Sequence, residues 1–374
     1  MDMASEMLYP IMPAYLSSIG FTALWIGILE GLAEMVVGLS KGYFGKLSDL
    51  SAKRLPFVRL GYFLSALSKP MMAIFIYPVW ILLSRSADRL GKGLRSGARD
   101  ALLSDESSKE NKGKVFGFHR GMDTLGAAIG PLLALAYLYY HPKEYATLFY
   151  IAFIPAIASV ILTFFIREPY RSQEKHITTP SLSGFFSYFS YWKESPALYR
   201  RLLIGLLAFS LFNSSDIFLL LMAKHAGIGD TDIIIVYVFY NLVYALFSYP
   251  MGWLADKLGM KKIFLLGLLL FAGAYIGMAY LKDLPILYAL FFLYGLYAAA
   301  TEGIYKAWIA RTVDTRQTAT AIGLFQSCSS ISTLVASTTA GLLWVSFLPE
   351  TTFLVSGAGA ILVLFYFFFR VGER

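Results

Sequence analysis

The chain has 374 residues, of which 57% are hydrophobic and only 15% charged, with a mean hydropathy of +0.61, a balance that excludes a soluble globular domain. Its formal charge of +8 does not make it a nucleic-acid binder, because no basic stripe is interleaved with exposed aromatics and the basic cytoplasmic loops of a membrane protein give the same excess. The one cysteine, Cys328, excludes an intrachain disulfide and a cysteine-based metal cluster.

A bilayer core takes about 20 helical residues to cross, and turn and charge signals mark off about twelve such stretches. In chain order they run over 1–19, 22–44, 57–76, 79–103, 115–140, 145–166, 202–223, 231–254, 263–281, 285–310, 319–345 and 350–370. An all-α membrane protein follows, since a lipid-embedded backbone must satisfy its own polar groups. The first span opens with Asp2 and Glu6 where a signal peptide has a basic start, so it reads as a retained helix, either unusually short or continued by residues upstream. Most Lys and Arg fall in alternate loops, Gly45–Pro56, Asp105–Lys114, Arg167–Arg201, Ala255–Lys262 and Arg311–Thr318, against little beyond Lys143, Lys224 and Lys282 on the other side. Both termini are therefore expected in the cytoplasm of a multi-pass plasma-membrane protein. The long polar connection 167–201 separates an amino-terminal six-helix bundle, 1–166, from a carboxy-terminal one, 202–374. Its aromatic patch, GFFSYFSYW, reads as a helix lying on the cytoplasmic membrane surface, with a binding role as the alternative.

The fourth span carries Arg85, Asp88, Arg89, Lys92, Arg95 and Arg99 at three- and four-residue steps, hence on one helical face. A charge at membrane depth costs about 2.5–3.5 kcal/mol, so this stripe must line a wet cavity or meet carboxylates. Asp2 with Glu6, Glu30 with Glu34, and Asp123 beside His119 and Arg120 supply them, and with Lys41, Asp88 and Asp100 the two signs come to about seven each. Two roles stay open for these carboxylates: carrying a coupled proton, for which Glu6, Glu30, Glu34 and Asp123 are the candidates, or locking helices together. His119 reads as a structural partner rather than a pH switch. The second half is sparser, with Asn213 and Asp216 in the seventh span, Glu302 and Lys306 at mutual-pairing distance in the tenth, and many tyrosines, among them Tyr237, Tyr240, Tyr244, Tyr294, Tyr297 and Tyr305. One charged wall and one aromatic, hydroxyl-bearing wall suit an amphipathic organic solute with an anionic or zwitterionic group toward the arginines.

Two loops repeat one pattern. GKLSDLSAKR, from Gly45, and GWLADKLGMKK, from Gly252, share a glycine, an aspartate four residues on and a basic cluster, and Asp49 and Asp256 lie 207 apart (256 − 49). GFHR at 117–120 and GLFQ at 323–326 open the fifth and eleventh spans alike. With six plus six helices and a basic central connection, the chain resembles the major facilitator superfamily. The second copy fits the family's signature at Gly252, Asp256, Lys257, Gly259, Lys261 and Lys262, while the first keeps Gly45 and Asp49 and has Leu50 where a base is usual. The resemblance implies that each aspartate anchors a neighbouring helix end while the bases face anionic lipid, a cytoplasmic gate. A stripe from Gly121 through Gly126 and Gly130 to Pro131 resembles the family's antiporter motif, with Ala134 and Leu135 in place of its closing glycines; close helix packing explains it equally. The family's fourth-helix arginine has no counterpart at Ala87, between Arg85 and Arg89.

The resemblance implies alternating access by two rocking halves. The expected function is proton-coupled export of a small organic molecule by a monomer in the lipid bilayer, with uptake or metal-ion export as alternatives. No nucleotide-binding glycine loop, catalytic constellation or histidine cluster points to an enzyme, a cofactor or a resident metal.

Overall fold

The computed structural model describes the chain except for Pro10, Thr22, Ala52, residues 169–183, Phe185 and residues 373–374; the side chains of 13–14, 17, 23–35, 230–231 and 234 also lie outside the description. Among the described residues the regular structure is helical throughout. In the first half of the chain the helices are α1 (Asp2–Leu8), α2 (Met12–Ser18), α3 (Ala23–Leu50), α4 (Leu55–Ile74), α5 (Pro78–Asp105), α6 (Lys112–Tyr140) and α7 (Tyr145–Phe164). The one-turn α8 (Tyr191–Glu194) leads to α9 (Ala197–Ser210), α10 (Ile217–His225), α11 (Asp230–Leu258), α12 (Met260–Met278), α13 (Leu284–Thr312), α14 (Thr318–Ser346) and α15 (Pro349–Arg370).

Two expected spans are broken. The first is divided into α1, which ends at Leu8, and α2, which starts at Met12. The seventh stops at Ser210 and restarts at Ile217. Its intervening Asn213, Ser214, Ser215 and Asp216 are residues whose side chains compete with helical hydrogen bonds, and Ser215 Oγ does accept from the N–H of Ile217 at 3.4 Å. The breaks fall at the start of each half, and interrupted helices at corresponding positions of a repeat mark binding sites in carriers. Seven helices among the described residues are long and apolar enough to cross a bilayer, namely α6, α7 and α11 to α15. Gly259, with φ of +105°, makes the abrupt turn between α11 and α12, a backbone state that side chains disfavour.

The contacts group into two compact units. The first comprises Met1–Glu106, Leu125–Glu194 and Asp314–Ser327, the second Ser107–Thr124, Ser195–Val313 and Cys328–Arg374, so α6 and α14 each contribute one end to either unit. Within the first unit, Met7, Leu8, Met12, Leu16 and Phe149 form an apolar core. There α4 and α5 cross at Gly61 and Gly91, where a Cβ on either would meet the other's carbonyl at 2.6 Å. Gly126 and Gly130 of the antiporter-like stripe pack against the backbone of α1 at Met3 and Met7, so this stripe does serve close packing. Within the second unit, rings dominate: Phe271 stacks on Tyr275 at 4.0 Å, and Tyr240 on Tyr294 at 5.1 Å.

The aromatic patch of the connection is helical from Ser187 to Glu194 among the described residues. A 3-10 helix, Ser187–Ser190, runs directly into α8. Tyr188 is fully buried on the face of α3 that Gly42 leaves bare, and Lys46 donates to the Ser187 carbonyl at 2.9 Å. Burial, helped by the nearby carboxylates of Asp49 and Asp314, pushes the Tyr191 phenol well above its ordinary range. Phe186, Phe189 and Trp192 stay exposed. Tyr188 and Tyr191, three residues apart, thus share the buried face of this short helical segment, and Phe186, Phe189 and Trp192 share the other.

Candidate functional site

The glycine crossing of α4 and α5 brings their polar residues into one recess of the first unit, which α1 completes; it encloses about 520 Å³ of empty space, open solvent included. Asp2, Glu6, Arg85, Asp88, Arg89, Lys92 and Arg95, all expected at the site, line it. Arg95 reaches Asp2 at 3.4 Å, donates to Ser65 Oγ at 2.9 Å and lies over the Tyr62 ring at 5.0 Å. Glu30 and Glu34 belong to α3, and their side chains lie outside the described residues.

Lys69 is the site residue that sequence reasoning missed. It is 3% exposed and forms an ion pair with Asp88 at 3.2 Å, donating also to the Ser65 carbonyl at 2.9 Å and to Ser5 Oγ at 3.3 Å. One ammonium thereby ties α4 to α5 and to α1. The signal was available: a lysine in an otherwise apolar span demands a partner.

In the second unit, Gly303 lets the backbone of α6 approach α13 at Phe116, where a Cβ would stand 3.1 Å from the carbonyl oxygen. This approach corrects the expected pairing of Glu302 with Lys306. Glu302 instead meets Arg120 of α6 at 3.7 Å, and Arg120 also donates to the Tyr244 hydroxyl and lies over that ring at 5.3 Å. Helical spacing allows the Lys306 contact, but the tertiary approach supplies a guanidinium with a second anchor. Lys306 itself is buried. His119 pairs with Asp123 at 3.4 Å. At the break in the seventh span, Asp216 accepts from Tyr294 at 2.6 Å and Asn213 donates to Tyr297 at 3.0 Å. The structure thus distributes the expected charge network over two places, the recess around α5 and the cluster around Arg120.

The paired loops are alike in their contacts. Asp49 accepts from the backbone N–H and the hydroxyl of Thr320 at the start of α14, both at 2.6 Å. Asp256 accepts from the N–H groups of Gly113 and Lys114 at the start of α6, at 2.8 and 2.7 Å. The offset between the two partners, 320 − 113, is again 207, so the repeat conserves the contact as well as the motif. A carboxylate on unsatisfied N–H groups at the positive end of a helix dipole explains both. Gly45 and Gly252 permit the approach: a Cβ on them would lie 2.5 Å from the Ala319 carbonyl and 2.1 Å from that of Gly113. The counter-cations differ. Asp49 binds the fully buried Arg54, which also faces Asp105 at 3.5 Å, whereas Asp256 binds Arg311 at 2.5 Å. Lys257 rests on the Trp253 ring at 3.9 Å.

A helical membrane fold with interrupted helices at the start of each half and a charged recess beside the first of them defines a multi-pass carrier. The chain belongs to the Major Facilitator Superfamily, whose family model matches residues 1–223 and again 202–374. Members are carriers and not enzymes. An uncharacterized MFS-type transporter of Methanocaldococcus jannaschii is 33% identical over 367 residues, 96% of this chain and 89% of that one. The quinolone resistance protein NorA of Staphylococcus aureus is 26% identical over 122 residues, covering 33% of this chain and 31% of NorA. Among solved structures, the human organic anion transporter MFSD10 superposes with a TM-score of 0.81 at 16% identity over 98% of this chain and 96% of its own. The E. coli fucose:proton symporter FucP, in its outward conformation, does so with 0.80 at 12% identity over 100% and 96%.

Proposed function

We propose that this protein is a secondary active transporter that exports a small organic solute by alternating access and couples the movement to protons. The observation that carries this reading is the recess of the first unit, where Asp2 and Glu6 of the interrupted first span share one opening with the basic face of α5. A carboxylate whose surroundings alternate between water and a drier helix interface changes its proton affinity, which is what coupling requires. The guanidinium and ammonium groups beside it suit a solute with an anionic or zwitterionic end. Export is supported by the partial likeness to a drug resistance protein and by the antiporter-like stripe of α6. Asp49 and Asp256 hold the cytoplasmic gate in this scheme, both termini lie in the cytoplasm, and a monomer suffices.

Proteoliposomes with an imposed pH gradient and a panel of labelled anionic and zwitterionic solutes test the reading. Movement of a solute that follows the gradient, and that loses its pH dependence in Glu6→Gln or Glu34→Gln, is the expected result. Transport indifferent to the gradient, with unchanged rates in both variants, removes proton coupling from the account.

A further inference from the structure

The break in the seventh span carries a charge that the recess does not explain. Asp216 precedes α10, but its side chain caps no helix N–H; among the described residues its side-chain partner is the neutral phenol of Tyr294, at 2.6 Å. The Arg120 guanidinium, whose charge also acts on Asp216, is held by Glu302 at 3.7 Å. Asp216 and Glu302 thus share one guanidinium, which leaves one negative charge in excess at membrane depth.

The atoms around it are oxygens. Asn213 and Asp216 meet the phenols of Tyr297 and Tyr294, whose rings are 5.2 Å apart on α13, so the amide and the carboxylate are held on one patch. Asn213 Oδ1 is buried without a hydrogen-bond partner, and the Ser214 hydroxyl, in a residue only 4% exposed, lies beside the Tyr275 phenol. The carbonyls of Leu211, Phe212, Asn213 and Ser214, freed by the unwinding, accept no backbone hydrogen bond among the described residues. A proton on Asp216 would cancel its charge and leave these acceptors unmet. A hard cation satisfies both needs, since hard cations take carboxylate, carbonyl and hydroxyl oxygens. Charge sets its valence: one carboxylate with one monovalent ion gives zero, whereas a divalent ion would leave an uncompensated positive charge. Unwound helical backbone is also the kind of segment that binds sodium in carriers.

We propose that the segment Leu211–Asp216 binds a monovalent alkali cation, held by the Asp216 carboxylate with the Asn213 amide oxygen, the Ser214 hydroxyl and freed carbonyls. The site is separate from the recess and stands whether or not Glu6 carries a proton.

Purified protein is compared in NaCl and in choline chloride at equal chloride and pH, with KCl and LiCl as further arms, by thermal unfolding and by protease cleavage. With the ion at about ten times its dissociation constant, the unfolded population falls about elevenfold, and cleavage through the opened state slows to match. Asp216→Asn, which keeps shape and removes charge, folds and loses the response; Asn213→Leu weakens it. Equilibrium dialysis with labelled sodium should show retention in the parent protein and none in Asp216→Asn. Equal behaviour in alkali and choline salts overturns the proposal, as does an alkali response that survives Asp216→Asn. A stability that depends on pH through Asp216 and ignores alkali ions also overturns it, and makes this carboxylate a proton site.

Discussion

Replacing Lys69 with methionine is expected to destabilise the protein by about 3–5 kcal/mol, the usual cost of removing one partner of a buried ion pair. The substitution leaves Asp88, within 3.2 Å of the lost ammonium, among the arginines of α5, and it loses the Ser5 contact that ties α1 to α4 and the Ser65 contact within α4. The double variant Lys69→Met with Asp88→Leu should recover much of the loss, because apolar residues of similar volume often replace a buried pair without penalty. Unfolding in detergent reads both. A Lys69→Met protein that melts with the parent would mean that Asp88 draws its compensation from α5 alone, and the bridging role of Lys69 would fall.

Asp49→Ala is expected to cost about 3 kcal/mol, more than Asp256→Ala, although the two aspartates occupy equivalent places. Arg54 is fully buried, and without Asp49 its charge is met by Asp105 at 3.5 Å, with neutral acceptors at Ser48 Oγ and the Thr315 carbonyl, while the Thr320 N–H and hydroxyl lose their acceptor. Arg311 is 24% exposed, so water takes over part of its charge when Asp256 is removed, and the loss is mainly the two N–H contacts at α6, about 1–3 kcal/mol. Parallel melts of the two variants check the order. The reverse order would show that the helix-end contact, and not the buried arginine, carries the strength of these loop contacts.

Architecture was legible because hydropathy and charge are written locally. Twelve apolar stretches, alternating basic loops and a motif repeated at 207 residues needed no knowledge of contacts. The stripe on α5 was legible for the same reason, since helical spacing alone puts Arg85, Arg89, Lys92 and Arg95 on one face. What could not be read was the choice of partner. Glu302 had a lysine four residues away, and only the close approach of α6 at Gly303 gives it Arg120. Lys69 was overlooked because its span is otherwise apolar, although that isolation was the clue. The break at Asn213–Asp216 lay in plain view as residue types, but a hydropathy window averages across it. The Tyr188 anchor depended on a bare surface at Gly42, which no pattern within the connection itself could announce.

Intravesicular pH, followed with a trapped dye while a transported solute is added to one side of proteoliposomes without any imposed gradient, tests the proton-coupled exchange most directly. The account predicts that solute entry drives protons out of the vesicle, so that the interior becomes more alkaline, and that Glu6→Gln abolishes the pH change. Solute movement with no change in pH would contradict it.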